Sequence, residues 1–242
     1  MSNAAVLRAD CVDSTNLFLR RLADTAEDGT AVIARRQSAG RGRSGRCFLS
    51  PEGGLYLSVL RRPVCGADRL PTLTPVAAVA VCRAIERVCA LRCGIKWPND
   101  VVLRGKKVCG ILVESVLGGA RPCVIVGVGI NANTPSFPEE LREIASSLSE
   151  AYGGPVELDA LAAALLEELD TCYDAWLEDP LFCLDEYRGL CLTPGHEVLV
   201  GGRRGLARAI AEDYALLVDW ADGGSERVRF GEVSVRGLYG YM

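Results

Sequence analysis

Arg35-Arg36-Gln37-Ser38-Ala39-Gly40-Arg41-Gly42-Arg43-Ser44-Gly45-Arg46 lies between two apolar runs and packs five arginines and three glycines into twelve residues. Arginine offers a planar fork of donors matched to phosphate or carboxylate oxygens, and glycine lets backbone N–H groups come close to a ligand. On charge alone the stretch also reads as a solvated basic turn or an arm for nucleic acid. Its flanks separate these readings. Residues 31–34 form an apolar β run that enters it and residues 55–60 one that leaves it, so the stretch joins two sheet strands and can fold over the sheet's end as a lid.

Residues 5–12 read as a strand, and Asp13-Ser14-Thr15 supply caps for a helix over 16–23, with Leu17, Leu19 and Leu22 apolar. Ser14 and Thr15 either satisfy helix-start N–H groups only, or also present donors to a ligand at that strand-to-helix turn. Residues 75–91 make a long apolar helix of Ala-Val-Cys texture, which marks a buried scaffold element. Lys96-Trp97-Pro98-Asn99-Asp100 then enters a hairpin, 101–103 with 108–113, turned by Arg104-Gly105-Lys106. Gly118-Gly119 makes the next turn into 123–130, which ends in Asn131, and three antiparallel strands thus form a meander. Helical spacing covers 139–149, 158–176 and 181–190, and a boundary falls near 191. Five short β runs follow, 197–200, 206–211, 214–219, 227–230 and 232–236, in the pattern of a small barrel. These elements predict an α+β fold: a mixed, largely antiparallel sheet flanked by helices over 1–190, then a small β-barrel domain over 191–242.

A chain of 242 residues allows one large unit and one small one. No apolar run reaches the length of a bilayer span and no signal segment opens the chain, so a cytoplasmic protein is expected. The net charge of −4 argues against a general nucleic-acid binder. Eleven cysteines without a C-x-x-C pair read as small buried hydrophobes; Cys82, Cys89 and Cys93, at helical spacing, are assigned to packing rather than to metal. With His196 as the single histidine, neither a Ser-His-Asp triad nor a histidine zinc site is argued, and no protein metal site is expected.

Taken in order, Asp13-Ser14-Thr15-Asn16, the lid from Gln37 to Arg46, Lys96-Trp97-Pro98-Asn99-Asp100, Lys107-Val108-Cys109-Gly110-Ile111-Leu112-Val113-Glu114 and Gly127-Val128-Gly129-Ile130-Asn131 resemble biotin protein ligase. The resemblance covers nearly the whole chain. It implies a class II synthetase-like catalytic fold with an SH3-like terminal barrel. It implies activation of biotin with ATP and magnesium to biotinyl-5′-AMP, and transfer of biotin to a lysine of a biotin carboxyl carrier domain. Ser14, Thr15, Asn16, Gln37, Gly40, Arg41, Gly42, Arg43, Lys107 and Gly110 are then the biotin residues. Arg41, Arg43, Arg46, Lys107, Asn131 and Arg236 are the nucleotide residues, and Lys107, Arg43 and Asp100 are catalytic. These types suit the chemistry, because attack of a carboxylate on the α-phosphorus brings two anions together and needs preorganised positive charge. Asp100 would orient the acceptor amine or take its proton.

Singly, Lys107 also reads as a solvated hairpin lysine, Asp100 as a turn residue, Asn131 as a loop cap and Trp97 as core. Phe48 departs from the family's usual tryptophan, and Cys47 from a larger or charged residue. Few residues precede Ser14, so a DNA-reading domain and a repressor role are not expected, and a homodimer is left open. A lipoate or octanoate ligase or transferase, which shares the general fold, and a non-catalytic biotin sensor are the alternatives. The Gly-Arg-Gly-Arg-Ser-Gly-Arg loop favours the biotin branch, and the presence of Lys107 argues against the sensor.

Overall fold

The computed structural model describes residues 5–117, 120–229 and 233–235. Strands β1 (Val6–Val12), β2 (Ala31–Gln37), β3 (Leu55–Arg61), β4 (Gly94–Lys96), β5 (Asp100–Leu103), β6 (Lys106–Val116) and β7 (Cys123–Ile130) build one sheet in the order β1-β2-β3-β7-β6-β5-β4. The β1–β2 pair is parallel and is joined by helix α1 (Thr15–Arg21); the remaining pairs are antiparallel. The meander therefore has a fourth strand, β4, which is too short to show an alternation in sequence.

Side chains alternate across a strand, so each face of the sheet has its own composition. On one face Leu55, Leu57, Val59, Ile111, Val124, Val126 and Val128 join a core with helices α2 (Leu73–Cys89), α4 (Leu158–Glu178) and α5 (Leu184–Leu190), the short helix α3 (Leu148–Tyr152) preceding α4. Helix α2 is apolar nearly all round because it lies between the sheet and α4, where its alanines permit close approach. Each fully buried leucine here contributes roughly 1.5–3 kcal/mol of transfer free energy. On the other face Val32, Leu60, Cys123 and Ile125 meet Leu19 of α1 in a second, smaller cluster. Past α1 that face of β6 and β7 carries Gly110 opposite Gly129 and Leu112 opposite Gly127. Missing side chains leave a trough there.

Strands β8 (Glu197–Val200), β9 (Arg203–Ile210), β10 (Leu216–Trp220), β11 (Ser225–Val228) and β12 (Val233–Val235) form a second, antiparallel sheet in the order β11-β10-β9-β8-β12. Its inner residues Val198, Ala207, Leu216 and Val218 join the main core. This is the small terminal β unit the sequence predicts. Among the described residues no helix is long and apolar enough to cross a membrane.

Three expectations are corrected. The helix predicted over 139–149 is a 3₁₀ turn, Glu139–Leu141, separated from α3 by a further turn over 142–144 and a short stretch with a β-bridge at Ala145. That stretch pairs with β6 instead: Lys107 N–H donates to Ile144 O at 2.8 Å and Ser146 N–H to Lys107 O at 3.0 Å. The last helix begins at Leu184 rather than at 181. Cys93 lies beyond α2, which stops at Cys89 with Ala90 at φ 54°, although all three cysteines are buried as packing residues.

Candidate active site

The turn from β1 into α1 buries Ser14, Thr15 and Asn16 against the sheet. Gln37, at the end of β2, accepts from Thr15 N–H at 2.8 Å and Thr15 Oγ1 at 3.2 Å, and its amide nitrogen donates to Ser50 Oγ at 2.8 Å. Asn16 Nδ2 donates to Glu114 Oε2 at 2.8 Å and to Leu112 O at 3.2 Å. Ser58 Oγ, fully buried on β3, lies 2.6 Å from Asn16 Oδ1 and 2.7 Å from Thr15 Oγ1. Buried polar groups need such partners, and here they fix the orientation of one another. The network also demands Gly127, since a Cβ there would stand 2.0 Å from Asn16 Oδ1.

The basic stretch folds as a small hairpin over this pocket. Arg41 and Cys47 form an antiparallel bridge, Gly42 N–H donates to Arg46 O at 2.8 Å, and the tip turns through Ser44 at φ 54° and Gly45 at φ 75°. Two arginines tie it across the trough: Arg41 Nη1 meets Glu114 Oε1 at 3.0 Å, and Arg43 Nη1 donates to Asn99 Oδ1 at 3.0 Å. Gly40 is pressed under the lid, where a Cβ would come within 2.3 Å of Phe48 O and 2.4 Å of Ser50 Oγ. The Phe48 ring rests on the glycine floor, with Cε1 2.6 Å from the place a Gly129 Cβ would take and Cε2 3.1 Å from that of Gly110.

The opposite end of the trough is cationic. Lys107 Nζ lies 2.7 Å from Asp100 Oδ1 and 5.8 Å from the Phe48 ring centre. Lys96 pairs with Asp100 across β4–β5 and is only 9% exposed. Burial holds its pKa below the ordinary lysine value; Lys107, Arg46 and Arg43 push the same way and Asp100 opposes them. Asn99 Nδ2 donates to Ile111 O at 2.9 Å, which fixes the turn that carries Asp100. The small sheet braces this turn as well. Trp97 N–H donates to Thr193 Oγ1 at 2.9 Å and Trp97 Nε1 to Tyr214 O at 2.8 Å, while Tyr214 packs edge-on against Tyr187. A third region, beside Asn131, is an apolar rim of Phe137, Leu141, Ile144 and Ala145, and β12 adds Val233 and Ser234. Asn131 is buried, its N–H donating to Val108 O and its carbonyl accepting from Leu148 N–H, both at 2.8 Å.

These walls enclose a cleft of about 290 Å³. It brings together Ser14, Thr15, Asn16, Gln37, Arg41, Gly42, Arg43, Arg46, Asp100, Lys107, Gly110 and Asn131 from distant parts of the sequence. Gly40 is not in the wall but supports it, and Arg236 lies outside the described residues. Lys96, Asn99, Ser58 and Glu114 are additions. Lys96, Asn99 and Glu114 lie inside motifs already singled out, and Ser58 is the polar interruption of the run Leu55-Tyr56-Leu57-Ser58-Val59-Leu60. Trp97, 3% exposed, is core and cleft wall at once.

Residues 8–131 match the biotin/lipoate A/B protein ligase family. The bifunctional ligase/repressor BirA of Bacillus spizizenii is 40% identical over 175 residues, which cover 70% of this chain and 53% of that protein. The chain thus spans about half the length of the first curated relatives it matches. The biotin-(acetyl-CoA-carboxylase) ligase of Mycobacterium tuberculosis is 35% identical over 218 residues, 85% of this chain and 80% of that one. Among solved structures, a biotin protein ligase from Aquifex aeolicus in complex with biotin and ATP superposes with a TM-score of 0.83 at 32% identity, covering 96% of this chain and 98% of the other. By sequence, fold and the residues its cleft collects, the chain belongs to the biotin/lipoate A/B protein ligase family, among the biotin protein ligases.

Proposed function

We propose that the cleft joins biotin to ATP, forming biotinyl-5′-AMP and pyrophosphate, and then transfers the biotinyl group to one lysine of a biotin carboxyl carrier domain. The observation that carries this reading is the division of one cleft into a hydrogen-bonded polar pocket, a cationic centre and an apolar rim. The polar pocket of Ser14, Thr15, Asn16 and Gln37 suits the biotin head, with Arg41, Gly42 and Arg43 above it and Gly110 below. The cationic centre suits the reacting carboxylate and the phosphates. The rim beside Asn131 suits the adenine ring, and Arg46 would steady the nucleotide from the lid.

In the first step a biotin carboxylate oxygen attacks the α-phosphorus and the bond to pyrophosphate breaks. Lys107 and Arg43 supply charge to the anion that develops, already in position before the reaction. In the second step the acceptor amine attacks the biotinyl carbonyl and AMP leaves. Asp100 then orients the incoming amine or receives its proton, being exposed to the cleft and held by Lys107. Magnesium would enter with ATP, held mostly by phosphate oxygens, which leaves Asp100 to its ion pair with Lys107. We assign 1–190 to the catalytic domain and 191–242 to the small β domain, whose Thr193 and Tyr214 brace the Asp100 turn. Cysteines that are all free suit work in the reducing cytoplasm.

Mass spectrometry of a carrier domain incubated with the protein and ATP, plus either biotin or lipoate, tests the reading. A biotin adduct on one lysine supports it. A lipoyl adduct in its place moves the chain to the other branch of the family.

A further inference from the structure

We propose that Glu114 is the positioning residue that ties the arginine lid to the polar pocket, its carboxylate aiming Arg41 over the cleft and holding Asn16 in the pocket wall at the same time. The inference rests on the binding role proposed above for that pocket and adds to it the link through which pocket and lid act together.

Glu114 stands behind the cleft rather than in its wall. Asn16 and Arg41 line the cleft, whereas Glu114 reaches both of them from beyond the floor. Alternate residues of a strand share a face, so Gly110, Leu112 and Glu114 of β6 point the same way, and Glu114 lies opposite Ile125, where the trough ends against the cluster around α1. There Glu114 Oε2 accepts from Asn16 Nδ2 at 2.8 Å, while Arg41 Nη1 comes down from the lid to Oε1 at 3.0 Å and Oε2 at 3.4 Å. One carboxylate thus joins the start of α1 to the loop that follows β2.

The residue type at 114 goes beyond what a buried amide needs. Asn16 Nδ2 already donates to Leu112 O at 3.2 Å and Asn16 Oδ1 accepts from Ser58 Oγ at 2.6 Å, so a neutral acceptor at 114 would complete the set. A carboxylate whose side chain is only 18% exposed carries a desolvation cost that a neutral group does not, and Arg41 is the cation that offsets it. The charge therefore serves the lid, and the second oxygen serves the pocket. Because the Arg41 side of the pair is open to solvent, the tie should be worth a factor of a few rather than orders of magnitude.

Glu114→Gln separates the two contacts, because its amide oxygen can still accept from Asn16 while its charge is gone. Trypsin cleavage of the lid after Arg46, followed by mass spectrometry on the protein alone, should be roughly threefold to tenfold faster in this variant, and supplied biotinyl-5′-AMP should dissociate faster by a similar factor. Arg41→Gln should speed the same cleavage, and combining the two substitutions should add little to either alone, since each removes the same tie. A carboxylate with a merely structural role would instead loosen the lid as much in the Arg41→Gln background as in the wild type. Additive effects of that kind overturn the proposal, and so does cleavage of Glu114→Gln at the wild-type rate. A protein whose lid responds to Glu114 in the non-additive way but which makes no biotinyl-5′-AMP would refute the proposed activity and leave the link standing.

Discussion

Lys107 Nζ and Asp100 Oδ1 stand 2.7 Å apart across the β5–β6 hairpin, at the floor of the cleft and beneath the arginine lid. The pair joins the group proposed for the first half-reaction to the group proposed for the second, so each can be removed with a separable result.

Lys107→Ala is expected to lower adenylate formation by roughly 10²- to 10³-fold, the usual loss when one preorganised charge donor is removed from a transition state. Folding should change little, since Lys107 is half-buried in the cleft wall. Pyrophosphate release at the wild-type rate would remove Lys107 from the mechanism.

Asp100→Asn should still form biotinyl-5′-AMP but pass biotin slowly to the carrier lysine. Single-turnover transfer from added biotinyl-5′-AMP checks this, and an unchanged rate would exclude the carboxylate from the second step. Arg43→Ala cuts the tie to Asn99 and should loosen the lid, so that the mixed anhydride escapes and labels bystander lysines. Strict acceptor selectivity in that variant would contradict the closure role.

Gly127→Ala would drive a methyl group to within 2.0 Å of Asn16 Oδ1 and disrupt the network that links Asn16, Ser58 and Glu114. Overpacking of this kind costs typically 1–3 kcal/mol, and biotin affinity should fall with it. Denaturant unfolding together with biotin titration measures both, and a stable variant with normal biotin affinity would show that Asn16 can retreat at no cost.

Trp97→Phe keeps an aromatic side chain but removes the indole N–H and part of the packed volume, leaving the Tyr214 carbonyl without its donor at a cost of at least about 1–3 kcal/mol. Because the same turn carries Asp100, the transfer step should slow more than biotin binding. Equal stability of the two proteins in urea would mean that the small sheet does not brace this turn through Trp97.

Lys96 gives the pH dependence its sign. The folded protein holds its pKa below the ordinary 10.5, through burial first and then through Lys107, Arg46 and Arg43, with Asp100 opposing. The unfolded chain therefore binds that proton more tightly. The group disfavours folding below its folded pKa, and the penalty fades as pH rises to the unfolded value. Urea unfolding of wild type and Lys96→Gln across the alkaline range measures this: the stability of wild type relative to the variant should rise with pH, and superimposable profiles would count against it.

Much of the site is legible from local sequence. The lid is visible because five arginines and three glycines between β runs have few other uses, and the Asp100–Lys107 pair because one tight hairpin holds both arms close, although their strand partners are Gly110 and Val102 and the two side chains meet diagonally. The glycines of β6 and β7 gain their meaning only when strand pairing sets Gly110 opposite Gly129 and forms the floor. Lys96 escapes notice because a three-residue strand has no periodicity to show that its side chain is buried. The brace from Trp97 to Thr193 and Tyr214 links residues remote in sequence, so nothing near Trp97 reports it. The stretch 139–149 has helical spacing, yet pairing with Lys107 offers its backbone another set of hydrogen bonds and wins.

The central claim is that biotin and ATP react within this one cleft, and exchange of labelled pyrophosphate into ATP tests it directly. Biotin should drive rapid exchange in the wild-type protein and very little in Lys107→Ala, with no exchange when biotin is omitted. Absence of biotin-dependent exchange, or exchange driven by lipoate or octanoate instead, would contradict the account.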